Sequence, residues 1–402
     1  MGDAAMMLDY GLIDADSHYY ETYDCFSRHI EKSFENVAIH PVHPKDGIGR
    51  PHYGEKRLRF SPSWPTDLAG RPGALIDFYL KKAELASFTD GGIDAKQHPE
   101  MMHKAPRMAL LDQENVQATI MLPTLAVAVE ADLHRDVGAL YANVRSFNRW
   151  VEEHWGYGQD QRVFGVPMIS LVDPVQAAAE VKRLIAAGIK VIYMSPAPVY
   201  GKSPADPVFD PVWAQLNEAR IPVIYHIGDC NAVFCEMYST AWGDNPTPAL
   251  HKMSAHQWYI CNGERAIQDT LSALIFGHLF TRFPQLRIMT IELGADWVPA
   301  FLKNIDKAYR HAFSMKSSGQ GLPASPSEIF RAHVWVTPFY EDDMETLVKT
   351  IGAEHVLFGS DWPHPEGVVH PIQFADRLGS LSEADLRKVM RDNTAGLLGL
   401  PV

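Results

Sequence analysis

Leu12-Ile13-Asp14-Ala15-Asp16-Ser17-His18 sets two carboxylates and an imidazole at alternate positions of a short apolar run. Read as a strand, the run turns Asp14, Asp16 and His18 to one side and Ile13, Ala15 and Ser17 to the other. Three such groups are costly to bury without partners. A metal ion removes that cost, because carboxylate and imidazole are its usual ligands. The bland alternative is a solvent-exposed strand end whose acids cap the next turn. Similar polar residues close later apolar runs: His226 after Pro222-Val-Ile-Tyr, Glu292 after Leu286-Arg-Ile-Met-Thr-Ile, and Asp361 after His355-Val-Leu-Phe-Gly-Ser. A single histidine at a strand end is most often structural. Four strand ends that each carry a metal-type ligand suggest one shared site.

The elements that must position these residues follow a rhythm. Strands are expected near 12, 117, 163, 190, 222, 286, 333 and 355. Helical patterns lie between them, near 106–115, 136–154, 174–187, 208–219, 265–283, 296–313, 342–351 and 382–398; a further helix is expected at 75–88. Alternating strands and helices imply a parallel sheet. Eight units predict an α/β fold, a (β/α)8 TIM-type barrel with two long insertions over its C-terminal face. No Gly-x-Gly-x-x-Gly follows the first strand, so a dinucleotide-binding open sheet has no support. Residues 1–402 read as one such unit, with insertions at about 30–105 and 229–264. The first is dense in proline and glycine between 37 and 75, which forbids long helices or inner strands and suggests an arm, a lid or an oligomer contact. The second carries Trp242, His251, His256 and Trp258, expected to fold over the mouth. In such barrels the site lies at the C-terminal strand ends, where Asp16, His18, His226, Glu292 and Asp361 all fall.

The chain has 402 residues, 46% of them hydrophobic, ample for a large core. Its 36 basic and 49 acidic residues give a formal charge of −13, which argues against nucleic-acid binding. The cysteines Cys25, Cys230, Cys235 and Cys261 form no disulfide framework, and Cys230 and Cys235 lack the second close pair of a zinc knuckle. No secretory signal or membrane-spanning run is evident, so a soluble cytoplasmic protein is expected, acting on a small molecule with no nucleic-acid or membrane partner. It is expected to form a homo-oligomer or an oligomer with a homologous subunit.

The set Asp16-Ser17-His18, His226 and Gly359-Ser-Asp361-Trp-Pro-His364-Pro-Glu-Gly367 resembles the amidohydrolase superfamily, specifically the amidohydrolase-2 branch that contains aminocarboxymuconate-semialdehyde decarboxylase and γ-resorcylate decarboxylase. Leu279-Phe-Thr-Arg-Phe-Pro-Gln-Leu-Arg287 looks like that branch's helix before strand six. The resemblance covers most of the chain. It implies a metal-dependent enzyme, a hydrolase or nonoxidative decarboxylase, with Asp16, His18, His226 and Asp361 as ligands. Asp361 would also act as base toward metal-activated water. Two departures stand out. Asp16 replaces the first histidine of the usual His-x-His, which favours harder ions, manganese or iron beside zinc. Glu292 replaces the histidine that serves related decarboxylases as catalytic acid, and Lys190 lies at the wrong end of strand four to act as a carboxylated bridge.

Glu292 shares a strand face with Ile288 and Thr290 and needs a positive partner. It either ligates or bridges a second ion, or stays protonated as an acid. The resemblance to dimetal N-hydroxylases keeps open a dinuclear iron or manganese/iron monooxygenase, and an inactive partner subunit is the third class. His364, three residues past Asp361, is read as a substrate contact or acid, with a supporting or capping role as the alternative. Asp14 is assigned to orienting the ligands from behind, His278 to structure. Trp242, Trp258 and Trp362 suggest a partly apolar pocket.

Overall fold

The computed structural model describes residues 8–59, 61, 63–80, 82, 92–248, 252–261, 263–315 and 321–401. Apolar runs of β-branched residues form the inner strands. β1 (Leu12–Tyr19) is buried along its whole length. β2 (Ile39–Val42), β3 (Arg50–Tyr53) and β4 (Lys56–Arg57) make a small antiparallel sheet within the proline-rich stretch. β5 (Val116–Pro123) and β6 (Val163–Gly165) pair in parallel with β1 in the order β1-β5-β6. β7 (Ile192–Met194), β8 (Val223–His226), β9 (Ile288–Ile291) and β10 (Val334–Val336) form a second parallel sheet, ordered β10-β9-β8-β7.

Backbone bonds run between the two sheets on both sides. After β6, Ile169 N donates to Tyr193 O and Tyr193 N to Pro167 O, both at 2.9 Å. On the other side, the expected eighth strand is not a continuous ladder. Residues 356–362 instead make single parallel bridges, Val336 with Val356 and Ser17 with Trp362. Leu357 N donates to Val336 O, Ala15 N to Phe358 O and Asp361 N to Asp16 O, at 2.9, 2.9 and 2.7 Å. The strict alternation expected of β1 is also broken, because its pairing with β5 shifts register between Asp14 and Ser17. Gly359 is what lets residues 356–362 come so close to β1. A Cβ there would lie 2.5 Å from the Asp16 Cβ and 2.6 Å from Thr337 Cγ2.

Helices lie between the strands, with starts that the sequence explains. Asp136 caps Val137–His154 and Asp173 caps Pro174–Ala186, each accepting from first-turn amides. The other expected helices appear as Lys104–Gln113, Asp210–Ala219, Val298–Ser314 and Met344–Ile351. The 265–283 pattern divides into Gly263–Phe276 and Leu279–Arg282. The last helical stretch, Glu383–Leu398, carries a π-turn at Lys388–Asp392. The helix expected at 75–88 is found as Ile76–Tyr79; residues 81 and 83–91 lie outside the described residues. Within 229–264, Asp229–Trp242 and Ala255–Cys261 are helical. A helix at Pro326–His333 was not expected, although Ser325 and Glu328 form a complete capping box before it. Among the described residues no helix is long and apolar enough to cross a membrane.

The loops at the strand ends are tied by buried carboxylates. Asp342 Oδ2 accepts from Ala295 N at 2.7 Å and Phe339 N at 2.9 Å, joining the chain after β9 to the chain after β10. Burial pushes the Asp342 carboxyl up to about 7, with the Asp296 charge adding and the two amides opposing. The folded pKa lies above the unfolded value of about 4. The stabilisation from this group is therefore complete below about pH 4 and is lost as the pH rises toward 7. Asp342→Asn keeps an oxygen for both amides but cannot titrate. Denaturant unfolding should show wild type losing stability relative to this variant between pH 4 and 7. Parallel profiles would remove Asp342 as a titrating group.

Candidate metal centre

The structure brings Asp16, His18, His226, Glu292, Asp361 and His364 together at the C-terminal ends of the strands. His18 and Asp16 end β1, His226 ends β8, and Glu292 follows β9. His18 Nε2 lies 3.1 Å from His226 Nε2, 3.3 Å from Asp16 Oδ1, 3.5 Å from Glu292 Oε2 and 3.6 Å from Asp361 Oδ1. Glu292 Oε2 lies 2.9 Å from His226 Nε2. His364 Nδ1 lies 2.8 Å from Asp361 Oδ1 and 3.9 Å from Glu292 Oε2. Two overlapping groups of ligand atoms result, Asp16–His18–His226–Glu292 and His18–Glu292–Asp361–His364.

Hydrogen-bond donors are scarce in this cluster. His18 Nδ1 faces Pro123 O at 3.2 Å and His226 Nδ1 faces Ile227 O at 2.7 Å. A carbonyl only accepts, so each Nδ1 carries a hydrogen, and in its neutral form each ring turns an Nε2 lone pair inward. Asp16 Oδ1, Glu292 Oε2, Asp361 Oδ1 and His364 Nδ1 are buried with no hydrogen-bond partner. Orphaned buried acceptors that converge on one point fit a divalent cation, and the mix of carboxylate and imidazole suits manganese, iron or zinc.

The charges point the same way. Burial opposes a charged His18, yet the Asp16 and Glu292 carboxylates raise its pKa to about 9, drawing positive charge to the point where a bound cation would take the place of that proton. Burial, together with the Glu292 and Asp16 carboxylates, pushes Asp361 well above the usual range. Burial would also raise Glu292, but the imidazoles of His226, His18 and His364 outweigh it and hold the carboxyl well below that range. Glu292 and Asp361 both have left-handed backbones, with φ of 51° and 53°. Such strain in non-glycine residues is retained where function holds it in place.

A supporting layer lies behind the cluster. Asp14 does not join the cluster. Its Oδ1 accepts from Ser360 N at 2.9 Å and Asp16 N at 3.1 Å, and its Oδ2 from Ser360 Oγ at 2.5 Å, so it fastens the two ligand-bearing segments together. Arg107 is fully buried behind β1. It donates to His18 O at 2.6 Å, Ser17 Oγ at 2.9 Å and Glu100 O at 2.7 Å, and its guanidinium lies over the Trp362 ring. Glu21 Oε1 accepts from Leu125 N and Ala126 N, shaping the loop after β5. In that loop Thr124 Oγ1 meets His364 Nε2 at 3.0 Å. Sequence reasoning missed Arg107, Glu21 and Thr124. Only Thr124 had a signal, its place at the end of the second expected strand.

Other candidates lie elsewhere. His256 sits 3.5 Å from Asp244 on an exposed helix, and Trp242 and Trp258 are 69% and 47% exposed, so they do not line a pocket. Trp362 carries the Arg107 guanidinium on its ring and, with Arg107, Leu111 and Pro371, lines a small pocket. His278 starts the short Leu279–Arg282 helix, away from the cluster. His251 lies outside the described residues.

Comparison with known proteins agrees in kind. A family model described as Amidohydrolase matches residues 93–400. A γ-resorcylate decarboxylase from Rhodococcus jostii is 26% identical over 309 residues, 73% of this chain and 87% of the relative. The crystal structure of an amidohydrolase from Mycobacterium avium subsp. paratuberculosis superposes with a TM-score of 0.87 at 34% identity, covering 98% of this chain and all of that one. A dihydroxybenzoic acid decarboxylase from Polaromonas sp., solved with manganese and 2-nitroresorcinol, has a TM-score of 0.56 at 16% identity, with 97% of each chain covered.

An ion held only by the folded chain stabilises it by mass action, about 2.7 kcal/mol at a free concentration one hundred times Kd. Chelation should lower the melting temperature, and manganese should restore it. Asp16→Asn together with His226→Ala should abolish the response. A melting temperature indifferent to chelator and metal would argue against a metal centre here.

Proposed function

Because the chain belongs to the amidohydrolase family, we propose that it is a metal-dependent enzyme that decarboxylates or hydrolyses a small organic substrate, its two sheets closing as a (β/α)8 barrel. The observation that carries this reading is the convergence of three carboxylates and three imidazoles, four of whose buried polar atoms have no hydrogen-bond partner. Relatives named as decarboxylases, and the manganese reported in one of them, favour decarboxylation and a hard divalent ion. A bound ion of this kind polarises a carboxylate or carbonyl and lowers the pKa of bound water. Asp16, His18, His226 and Asp361 are the proposed ligands, with Glu292 between two ion positions.

Asp361 is the proposed proton carrier. Burial and the Glu292 and Asp16 carboxylates raise its pKa, so its carboxyl can take up a proton and give it back. In decarboxylation, the bond to the carboxyl carbon breaks, carbon dioxide leaves, and the electron pair left on the substrate carbon takes the proton from Asp361. In hydrolysis, Asp361 takes a proton from the attacking water. His18 and His226 cannot replace it, because their hydrogens are bound to backbone carbonyls on the far side of each ring.

A second reading, a dinuclear oxygenase, is favoured by the two overlapping ligand groups that share His18 and Glu292. Carbon dioxide release against oxygen uptake, measured on manganese- and iron-loaded protein with hydroxybenzoates as probes, separates the two. Asp361→Asn should keep the fold and lose about 10²–10⁴-fold in turnover, the usual cost of removing a general acid or base. Unchanged turnover would remove Asp361 from catalysis. Metal analysis should find two ions per chain, falling to about one in Glu292→Gln. One ion in both proteins would refute the bridge.

A further inference from the structure

His364 is the one member of the cluster whose task neither the strand pattern nor the resemblance fixes. Thr124 decides it. The Thr124 hydroxyl has a single hydrogen, and Tyr19 O takes it at 2.9 Å. Toward His364 Nε2, at 3.0 Å, that oxygen can therefore only accept. The proton of a neutral His364 ring thus sits on Nε2, and Nδ1 presents a lone pair. The opposite tautomer would donate from Nδ1 to Asp361 Oδ1, 2.8 Å away. The two atoms are not placed as a hydrogen-bonded pair, and both are buried with no hydrogen-bond partner at all. With Asp361 ionised, as a metal ligand must be, two lone pairs held this close repel unless a cation lies against both. The His364 ring also packs on the His18 ring, centroids 4.0 Å apart, a contact that disfavours two charged imidazoles.

We propose that His364 is a ligand to the second ion through Nδ1, together with His18, Glu292 and Asp361, and that Thr124 is the positioning residue that fixes its tautomer. This rests on the two-ion reading. It replaces the substrate-contact or acid role expected from the sequence. The acceptor arrangement also explains why a hydroxyl is needed at the end of β5: an aliphatic residue would leave Nε2–H unpaired and free the ring to invert. The neighbouring loop supports the same geometry, since Glu21 holds the amides of Leu125 and Ala126 just beyond Thr124.

The test is a metal titration of wild type, Thr124→Val, Thr124→Ser and His364→Gln, read by elemental analysis and by the visible spectrum of the cobalt(II)-loaded proteins. Circular dichroism confirms that each variant folds. Loss of a group that orients a ligand commonly costs about 10–100-fold in metal affinity. The second ion should bind about 10–100-fold more weakly in Thr124→Val and be lost in His364→Gln. The first ion should keep its affinity in both. Thr124→Ser, which restores the acceptor, should recover the second ion and the wild-type cobalt spectrum. Two ions bound with wild-type affinity in His364→Gln would overturn the ligand role, leaving the two-ion reading intact. Loss of the second ion in His364→Gln but not in Thr124→Val would overturn the role of Thr124. One ion in wild type, unchanged in Glu292→Gln, would sink the two-ion reading and this proposal with it. If Thr124→Val fails to fold, Thr124→Ser and His364→Gln still decide the ligand role.

Discussion

Two backbone carbonyls govern this centre. Pro123 O and Ile227 O each bind an imidazole Nδ1–H, and so turn the Nε2 lone pairs of His18 and His226 toward each other at 3.1 Å. Neither carbonyl can be altered by changing its own side chain, so the tautomers are set by the course of the main chain at the ends of β5 and β8. Every other feature of the site answers to that constraint. Asp16, Glu292 and Asp361 crowd the same volume with acceptors of their own, and among the described residues none of the buried oxygens facing inward has a donor. A polypeptide that buries such a set carries a debt of desolvation that only a cation settles.

The wall that holds the ligands is built to tight tolerances where β1 meets residues 356–362. Gly359 permits the approach, Asp14 grips Ser360 by both amide and hydroxyl, and Asp361 N bonds back to Asp16 O. The Gly-Ser-Asp-Trp run thus divides its labour. The glycine gives room, the serine is the anchor, the aspartate faces the cluster and the tryptophan carries Arg107 on its ring. Arg107 then reaches the back of β1, where it binds the carbonyl of His18 itself. Its buried charge has no carboxylate in direct contact among the bonds it makes; backbone carbonyls, a hydroxyl, a sulfur and an aromatic face solvate it instead.

The ligand-type residues were legible because each ends an apolar run, and a parallel arrangement sends all such ends to one face. Asp16, His18, His226, Glu292 and Asp361 could be picked out on that ground alone. Residues 356–362 were legible as an apolar run, but an apolar run does not say whether the backbone will form a ladder or only single bridges. The helix at Pro326–His333 was readable from its capping box and was passed over because the stretch before it is rich in glycine, serine and proline. Arg107 had no local sign: its partners come from β1 and from the turn at Glu100, far apart in sequence. Nor could the left-handed backbones of Glu292 and Asp361 be seen, since an aspartate takes that conformation only occasionally and a glutamate more rarely still. The aromatic residues of the second insertion misled for a plain reason, that an exposed tryptophan and a pocket tryptophan look alike in a sequence.

The number of carboxylates in the shell has a bearing on what can enter it. With all three ionised around metal, Asp16, Glu292 and Asp361 would bring three negative charges. A single dication leaves the ensemble a net anion, which repels an incoming carboxylate and welcomes an amine or a neutral carbonyl. A pair of dications leaves it a net cation, with the opposite preference. Ion occupancy would then act as a selector, and the same folded chain would present two surfaces of opposite sign depending on how much metal its surroundings provide.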